Sequence, residues 1–222
     1  MKFVYPEINN VFDTGGENVN TLIIENQGLM VRLLGDIYAQ SEGLDGKSAL
    51  FDNGKELPIG KSMELLTQFV PFDINKKTLL SKICSALEKE AASDEYFVKT
   101  NELLGTVEAY LNELSSGFRC DLDFSKINFS SLIKASGAEI EENYDSLGEK
   151  IIDYFELVTE FDRPKLFFTV NLRSYLSDDE TYLFIDTALK HGYNLIMAES
   201  HEHKRLKNED RFIIDSDLCE IK

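Results

Sequence analysis

Two fully apolar runs, KLFFTVN (165–171) and YNLIMAE (193–199), flank a single helical pattern, SDDETYLFIDTALKHG (177–192). A strand with no polar alternation has to be covered on both faces, and a strand-helix-strand unit of this kind closes as a right-handed parallel crossover. That unit commits the chain to an α/β architecture with a mainly parallel sheet. VNTLIIEN (19–26) reads as another strand, and GLMVRLLGDIYAQ (28–40) follows it with helical spacing at Leu29, Leu33 and Ile37. SALFD (48–52) and MELLTQFV (63–70) are short apolar runs; the second is read as a strand because PFDIN (71–75) stops it. RFIIDSD (211–217) adds a further strand.

The middle of the chain changes period. Leu79, Leu80, Ile83 and Leu87 form one helical stripe, and Phe97, Leu104, Val107, Leu111 and Leu114 form another. AASDE (91–95) joins them, with Ser93 or Asp94 expected as the N-cap of the second helix. A shorter helix is predicted within 127–141, ending at Gly137 in a left-handed C-cap, and a long one after it, capped at Asp145 or Ser146. The expected organisation is an α/β head formed by residues 1–72 and 139–222, and a helical leg over 73–138. A helical hairpin leaves part of its apolar stripe uncovered unless it meets its own domain or another copy.

The 222 residues suffice for a sizeable core, in one large domain or two small ones. No apolar run approaches the roughly 20 residues of a membrane span, and MKFVYPEINN lacks the apolar centre of a signal peptide, so a cytoplasmic protein without membrane partners is expected. Cys84, Cys120 and Cys219 show no C-x-x-C spacing and read as reduced, mostly buried thiols. Forty acidic against twenty-three basic residues give a net charge of −17. Diffuse attraction to nucleic acid or anionic membrane is thereby excluded, because both need a positive field; any DNA contact has to come from a local basic surface.

FDNGKELPIGKS (51–62) comes close to a phosphate-cradling loop and misses it. The P-loop pattern places four residues between its glycines so that successive amides curl round a phosphate. Gly54 and Gly60 have five between them, and Pro58 removes a donor. A hairpin or loop with glycines at its corners fits better. Gly46-Lys47-Ser48 is a second near miss, with Ser41 where the first glycine belongs. KLFFTVN ends in Asn171, where a P-loop ATPase strand ends in an acid that handles Mg²⁺.

The remaining polar clusters each admit two readings. SHEHKRLKNEDR (200–211) holds the densest run of cations, Lys204, Arg205, Lys207 and Arg211. It is either a place for phosphates or a solvated loop whose lysines pair with Glu202, Glu209 and Asp210. His201 and His203 are better read as exposed loop residues than as metal ligands. NKKTLLSK (75–82) sets Lys76 and Lys77 at a helix start, where cations oppose the helix dipole and gain no stability. In CDLDFSKIN (120–128), Asp121 and Asp123 alternate so that two carboxylates can converge on a hard cation, or serve a turn or cap.

The series LLTQFVPFDINKKTLLSKICSALEKEA (65–91), LIKASGAEIEENYDSLGEKIIDYFELV (132–158), KLFFTVNLRSYLSDDE (165–180) and NEDRFII (208–214) resembles, in order and spacing, the small CRISPR-associated ring protein of type II-A systems, which takes part in spacer acquisition. The resemblance implies a head that looks like a P-loop ATPase fold without a nucleotide site, a helical leg and a homotetrameric ring. It further implies a non-catalytic protein that threads the ends of double-stranded DNA through a positively lined hole. Calcium would hold the ring, and the partners would be the spacer integrase complex and the type II effector nuclease. Asp121 and Asp123 fall in the family's acidic calcium-binding segment. Ser125 and Lys126 stand where relatives continue with acids; either the chain does without calcium or Glu139, Glu141 or Glu142 complete the ligation. Lys76, Lys77, Lys134, Lys204, Arg205 and Lys207 are the DNA-contacting candidates from charge and position. Two other functions stay open on sequence: a metal-dependent nuclease or nucleotide hydrolase built on Asp121, Asp123 and the Gly-Lys-Ser loop, and a protein-interaction scaffold.

Overall fold

Asn75 clasps the chain where the helical middle begins and ends: its side-chain amide donates to the Ile140 carbonyl at 3.1 Å and its oxygen accepts from the Ile140 N–H at 2.7 Å. In the computed structural model, which describes residues 1–163 and 165–221, the chain divides close to this clasp. One unit is Met1–Ile74 with Asn143–Lys222, the other Asn75–Glu142. The sequence reading places the boundaries at 72/73 and 138/139; in the structure Glu139, Glu141 and Glu142 lie in the helical unit.

The first unit runs β1 (Lys2–Val4), β2 (Val11–Asp13), β3 (Val19–Ile24), α1 (Gln27–Ser41), β4 (Ala49–Asp52), β5 (Lys55–Leu57), α2 (Ile59–Ser62) and β6 (Met63–Leu66). The second unit supplies α3 (Lys77–Ala91), α4 (Phe97–Ser115) and α5 (Phe129–Ser136). The chain then returns to the first unit as α6 (Leu147–Phe161), β7 (Leu166–Val170), a 3₁₀ turn at Leu172–Ser174, α7 (Asp178–Lys190), β8 (Asn194–Glu199), β9 (Glu209–Ile214) and β10 (Glu220–Ile221).

Six strands form one sheet in the order β10-β9-β3-β8-β7-β6, parallel except for the β9/β10 pair. The β7-α7-β8 crossover predicted from the apolar runs is present, with Phe168 opposite Ile196 and Val170 opposite Ala198. Its helix starts at a capping box in which the Ser177 hydroxyl accepts from Glu180 N–H and the Glu180 carboxylate accepts from Ser177 N–H. On one sheet face Leu22, Ile24, Phe168, Ile196 and Phe212 pack against Leu29, Leu33 and Ile37 of α1. On the other, Phe167 stacks on Phe155 of α6 with ring centroids 3.8 Å apart, and Phe184 of α7 meets Phe155 edge-on.

A second, antiparallel sheet, β2-β1-β4-β5, closes the first face through Phe3, Phe12 and Leu50. The sequence reading lacks β1 and β2, because a three-residue strand shows at most one cycle of alternation. The hairpin between β4 and β5 turns on Asn53 (φ 49°) and Gly54 (φ 77°), two consecutive left-handed residues as a type I′ turn requires. Gly60 serves a different end: a Cβ there would stand 2.8 Å from the Gln40 carbonyl oxygen and 3.0 Å from that of Ser41. Both glycines of FDNGKELPIGKS therefore have structural uses, one as hairpin corner and one as the contact point of α2 with the end of α1.

In the helical unit α3 packs on α5. Asn128 caps α5 by accepting from Ser131 N–H, and Gly137 ends it at φ 62° as expected. The cap of α4 differs from expectation. The helix begins at Phe97 after Tyr96, without a side-chain cap, and the Ser93 carbonyl takes the Tyr96 and Phe97 amides in a preceding turn. No residue of α4 is buried.

Candidate nucleic-acid interface

The link from β8 to β9 has an uncommon route. Glu199 lies opposite Ile23 of β3 and Glu209 opposite Val19, so residues 200–208 have to carry the chain back along the sheet and across β3. The span is about 13 Å along the strands and about 10 Å across them, on ordinary strand geometry. Parallel strands are usually joined by a dozen or more residues including a helix; here the link is short and non-helical. It also carries Lys204, Arg205 and Lys207.

Three anchors hold this segment. At its start Asn171, itself left-handed at φ 55°, accepts from Ser200 N–H at 2.8 Å. In the middle Arg173 donates through Nη2 to the Lys204 carbonyl at 2.9 Å. Near its end the Glu209 carboxylate accepts from Leu206 N–H at 2.8 Å. Asn171 and Arg173 come from the turn after β7, the position where a nucleotide hydrolase would carry its acid; in this chain that turn is used as a fastening.

Beneath the segment lies a buried charge cluster. Arg173, 4% exposed, donates through Nη1 to Glu209 at 2.8 Å, through Nη2 to Asp178 at 3.0 Å, and through its backbone N–H to Glu199 at 3.2 Å. Arg211 donates to Glu209 at 3.0 Å and to Glu202 at 3.2 Å. Glu199 and Glu209 are both buried; both arginines pair with Glu209, while Glu199 accepts the Arg173 backbone N–H. A buried pair of this kind costs roughly 3–5 kcal/mol to break by removing one partner, because the other charge is left in a poor solvent.

One corner of the cluster is less well satisfied. Glu199 Oε2 and His203 Nε2 face each other at 3.6 Å, and neither has a hydrogen-bond partner. Burial pushes the Glu199 carboxyl up to about 7, against the opposing effect of the Arg173 N–H and its charge. Burial, reinforced by the Arg173 charge, holds His203 below its usual value.

The ion pairs that one of the two readings expects for the lysines of the basic segment are not formed among the described residues. Lys204, Arg205 and Lys207 are exposed and, among the described residues, none is in an ion pair. The carboxylates expected to neutralise them are engaged elsewhere: Glu209 with two arginines, Glu202 with Arg211, and Asp210 with the Asn18 amide. Two further expectations are corrected. His203 is half-buried against Glu199 and is not a free loop histidine. Cys120 and Cys219 are exposed thiols, while only Cys84 is partly covered.

The other DNA-contacting candidates lie in the helical unit. Lys76 is the N-cap of α3 and has a partner of its own; Lys77 follows it, exposed, in a first turn without acids. Lys134 is exposed in the last turn of α5, where a cation also suits the helix dipole.

The acidic set does not assemble. Asp123 accepts from Ser125 N–H at 2.9 Å in a local turn, and that bond holds its carboxyl below the usual range. Asp121, Glu139 and Glu141 are exposed, and Glu142 accepts from Asn75 at 3.3 Å. Among the described residues no three or more carboxylate, histidine or cysteine groups converge as a metal site. The expected calcium ion therefore does not fit these residues within one chain. Asp121 and Asp123 also belong to a different unit from Gly60-Lys61-Ser62, with which the hydrolase reading had combined them.

A family model described as CRISPR-associated protein (Cas_Csn2) matches residues 40–218. The chain belongs to this family. Two curated Csn2 proteins align along nearly the full length. That of Streptococcus agalactiae is 26% identical over 211 residues, covering 90% of this chain and 89% of the relative. That of Enterococcus faecalis is 23% identical over 204 residues, covering 91% and 90%. The crystal structure of Stu0660 of Streptococcus thermophilus shares the fold, with a TM-score of 0.55 at 12% identity over 91% of this chain and 69% of that one. Membership in the Csn2 family implies a role in CRISPR immunity. No helix among the described residues is long and apolar enough to cross a membrane.

The residues that sequence reasoning missed are those that fasten the basic segment. Arg173 is a lone cation between the apolar Leu172 and Leu176, and Glu209 and Arg211 share one side of a strand with opposite charge at i,i+2. Those two patterns are the available signal.

Proposed function

We propose that this protein is a non-catalytic, sequence-independent ring that binds the ends of double-stranded DNA during type II-A spacer acquisition, with four copies forming the ring. In this reading the head is a P-loop ATPase-like fold that has lost its nucleotide site, and the ring works with the spacer integrase complex and the type II effector nuclease. The observation that carries it is the pinned segment 200–208, whose three exposed cations lack acidic partners in a chain of net charge −17. Unpaired cations held in place gain from phosphate contact through counterion release and carry no base-reading geometry. Lys76, Lys77 and Lys134 are the DNA-contacting candidates of the helical unit.

The test is a gel shift with linear and covalently closed DNA of the same sequence, in calcium and in chelator, together with solution mass in both. Binding to the linear form alone supports threading, and equal binding to the closed circle sinks it. Calcium enters as an arm of this test because the five carboxylates build no site within one chain. Binding and mass that survive chelator remove the ion from the reading. Release of phosphate from ATP, or DNA cleavage with Mg²⁺, would revive the enzyme.

A further inference from the structure

The cations of segment 200–208 sit on a backbone that has no regular structure of its own. A short polar loop of this composition would ordinarily be mobile, and each phosphate contact would then carry the entropy of ordering it. Here the ordering is done in advance, from below, by two buried side chains. Arg173 reaches the Lys204 carbonyl while its other nitrogen is held by Glu209, and Glu209 in turn takes the Leu206 amide. The two fixed points are at Lys204 and Leu206, so Arg205 lies between them and Lys207 directly follows them, and Glu209 is the first residue of β9. We propose that Arg173 and Glu209 are positioning residues for nucleic-acid binding: they clamp the 200–208 crossover to the sheet so that its three cations are held as a preformed edge for a phosphate backbone.

This inference rests on the reading of the segment as a DNA contact, and it adds what that reading lacks, a reason why a non-helical link should present charge in a fixed arrangement. It also explains the sign pattern. Arg173 and Arg211 occupy Asp178, Glu202 and Glu209, which leaves the cations of the segment without acidic partners. A buried pair is poorly justified by stability alone, since apolar residues of similar size often do as well. Its use here is geometric.

The test uses the full chain with Arg173→Met and Glu209→Met combined, which removes the pair without changing net charge, and Arg173→Lys as a gentler variant that keeps the charge but not the forked reach. Two readouts are taken from each: trypsin cleavage after Lys204, Arg205 and Lys207 followed by mass spectrometry, and affinity for linear DNA as a function of salt. The expected result is cleavage in the segment about tenfold faster than in the wild type, with DNA affinity about tenfold weaker and a shallower salt dependence, since fewer phosphates are engaged at once. Arg173→Lys should move both readouts the same way by a smaller factor, and it stands if the double variant fails to fold. Cleavage at the wild-type rate in a folded variant overturns the clamp, as does a freed segment with undiminished DNA affinity. A wild type that does not bind linear DNA overturns the DNA reading instead, and is recognised as such because cleavage is measured without DNA.

Discussion

Glu199→Gln should stabilise the protein at high pH and do nothing comparable at low pH. The side chain ends β8, is fully buried, and is pushed by burial from an ordinary 4.5 to about 7. Glutamine keeps the shape and the acceptor for the Arg173 N–H, offers an N–H toward His203, and cannot ionise. Below pH 4.5 the glutamate is neutral in both folded and unfolded chains, so its contribution is fully present. As pH rises from 4.5 through about 7 the unfolded chain releases the proton first, and that contribution is lost. At about 1.4 kcal/mol per pH unit the gap amounts to about 3 kcal/mol, reached near pH 8. For a chain of this size that is about 6–12 °C in Tm. His203, held below its usual value, runs the other way, with stability present above 6.5 and lost as pH falls, and it is common to both proteins. The assay is thermal unfolding of wild type and variant at half-unit steps from pH 5 to 8.5. The difference between them should grow with pH across that window. A flat difference, or a variant less stable at pH 8, would refute the reasoning, because it would mean that the ionised carboxylate is welcome where it lies.

Three further outcomes follow from the packing and the charge. Replacing Lys204, Arg205 and Lys207 together by alanine should weaken binding to all linear DNA sequences alike and lower the salt slope by up to about 3, with Tm unchanged, read by titration at several salt concentrations. Gly60→Ala should cost about 1–3 kcal/mol, since its Cβ would press on the Gln40 and Ser41 carbonyls; chemical denaturation measures it, and an unchanged midpoint would show that α2 can move away. Phe155→Ala, which empties the stack on Phe167, should cost about 3–5 kcal/mol by the same assay.

The parts of the fold that could be read from sequence are those in which local chemistry and tertiary environment agree. The β7-α7-β8 unit declares itself because its strands have continuous apolar centres, Leu166–Phe168 and Leu195–Ala198, and its helix begins at Ser177 with Glu180 three residues on. The Gly54 corner and the Gly137 cap follow from backbone freedom that only glycine gives cheaply. The small sheet was hidden because β1 and β2 each bury one large side chain, Phe3 and Phe12, and a single buried residue has no period. Of the candidate site, Lys204, Arg205 and Lys207 were visible as a run of like charge. Arg173 and Glu209 were not, because what matters about them is a meeting of residues 36 positions apart, under a segment whose course depends on strand order. The same limit explains the histidine: nothing in HEH shows that His203 turns in toward Glu199 while His201 stays out.

The short route from β8 to β9 has one more implication, which concerns the chain as a covalent object. Because residues 200–208 are the only connection that brings β9 and β10 into the sheet, a single cut among them would leave the C-terminal ladder as a separate peptide, held beside β3 by backbone hydrogen bonds and side-chain packing. The segment is thus both a charged edge and a splice. Inserting residues into it, to carry a tag or a label, would lengthen a tether whose slack now sets how β9 finds its register against β3, and labels are better placed at the β4/β5 hairpin, where Asn53 and Gly54 turn in solvent.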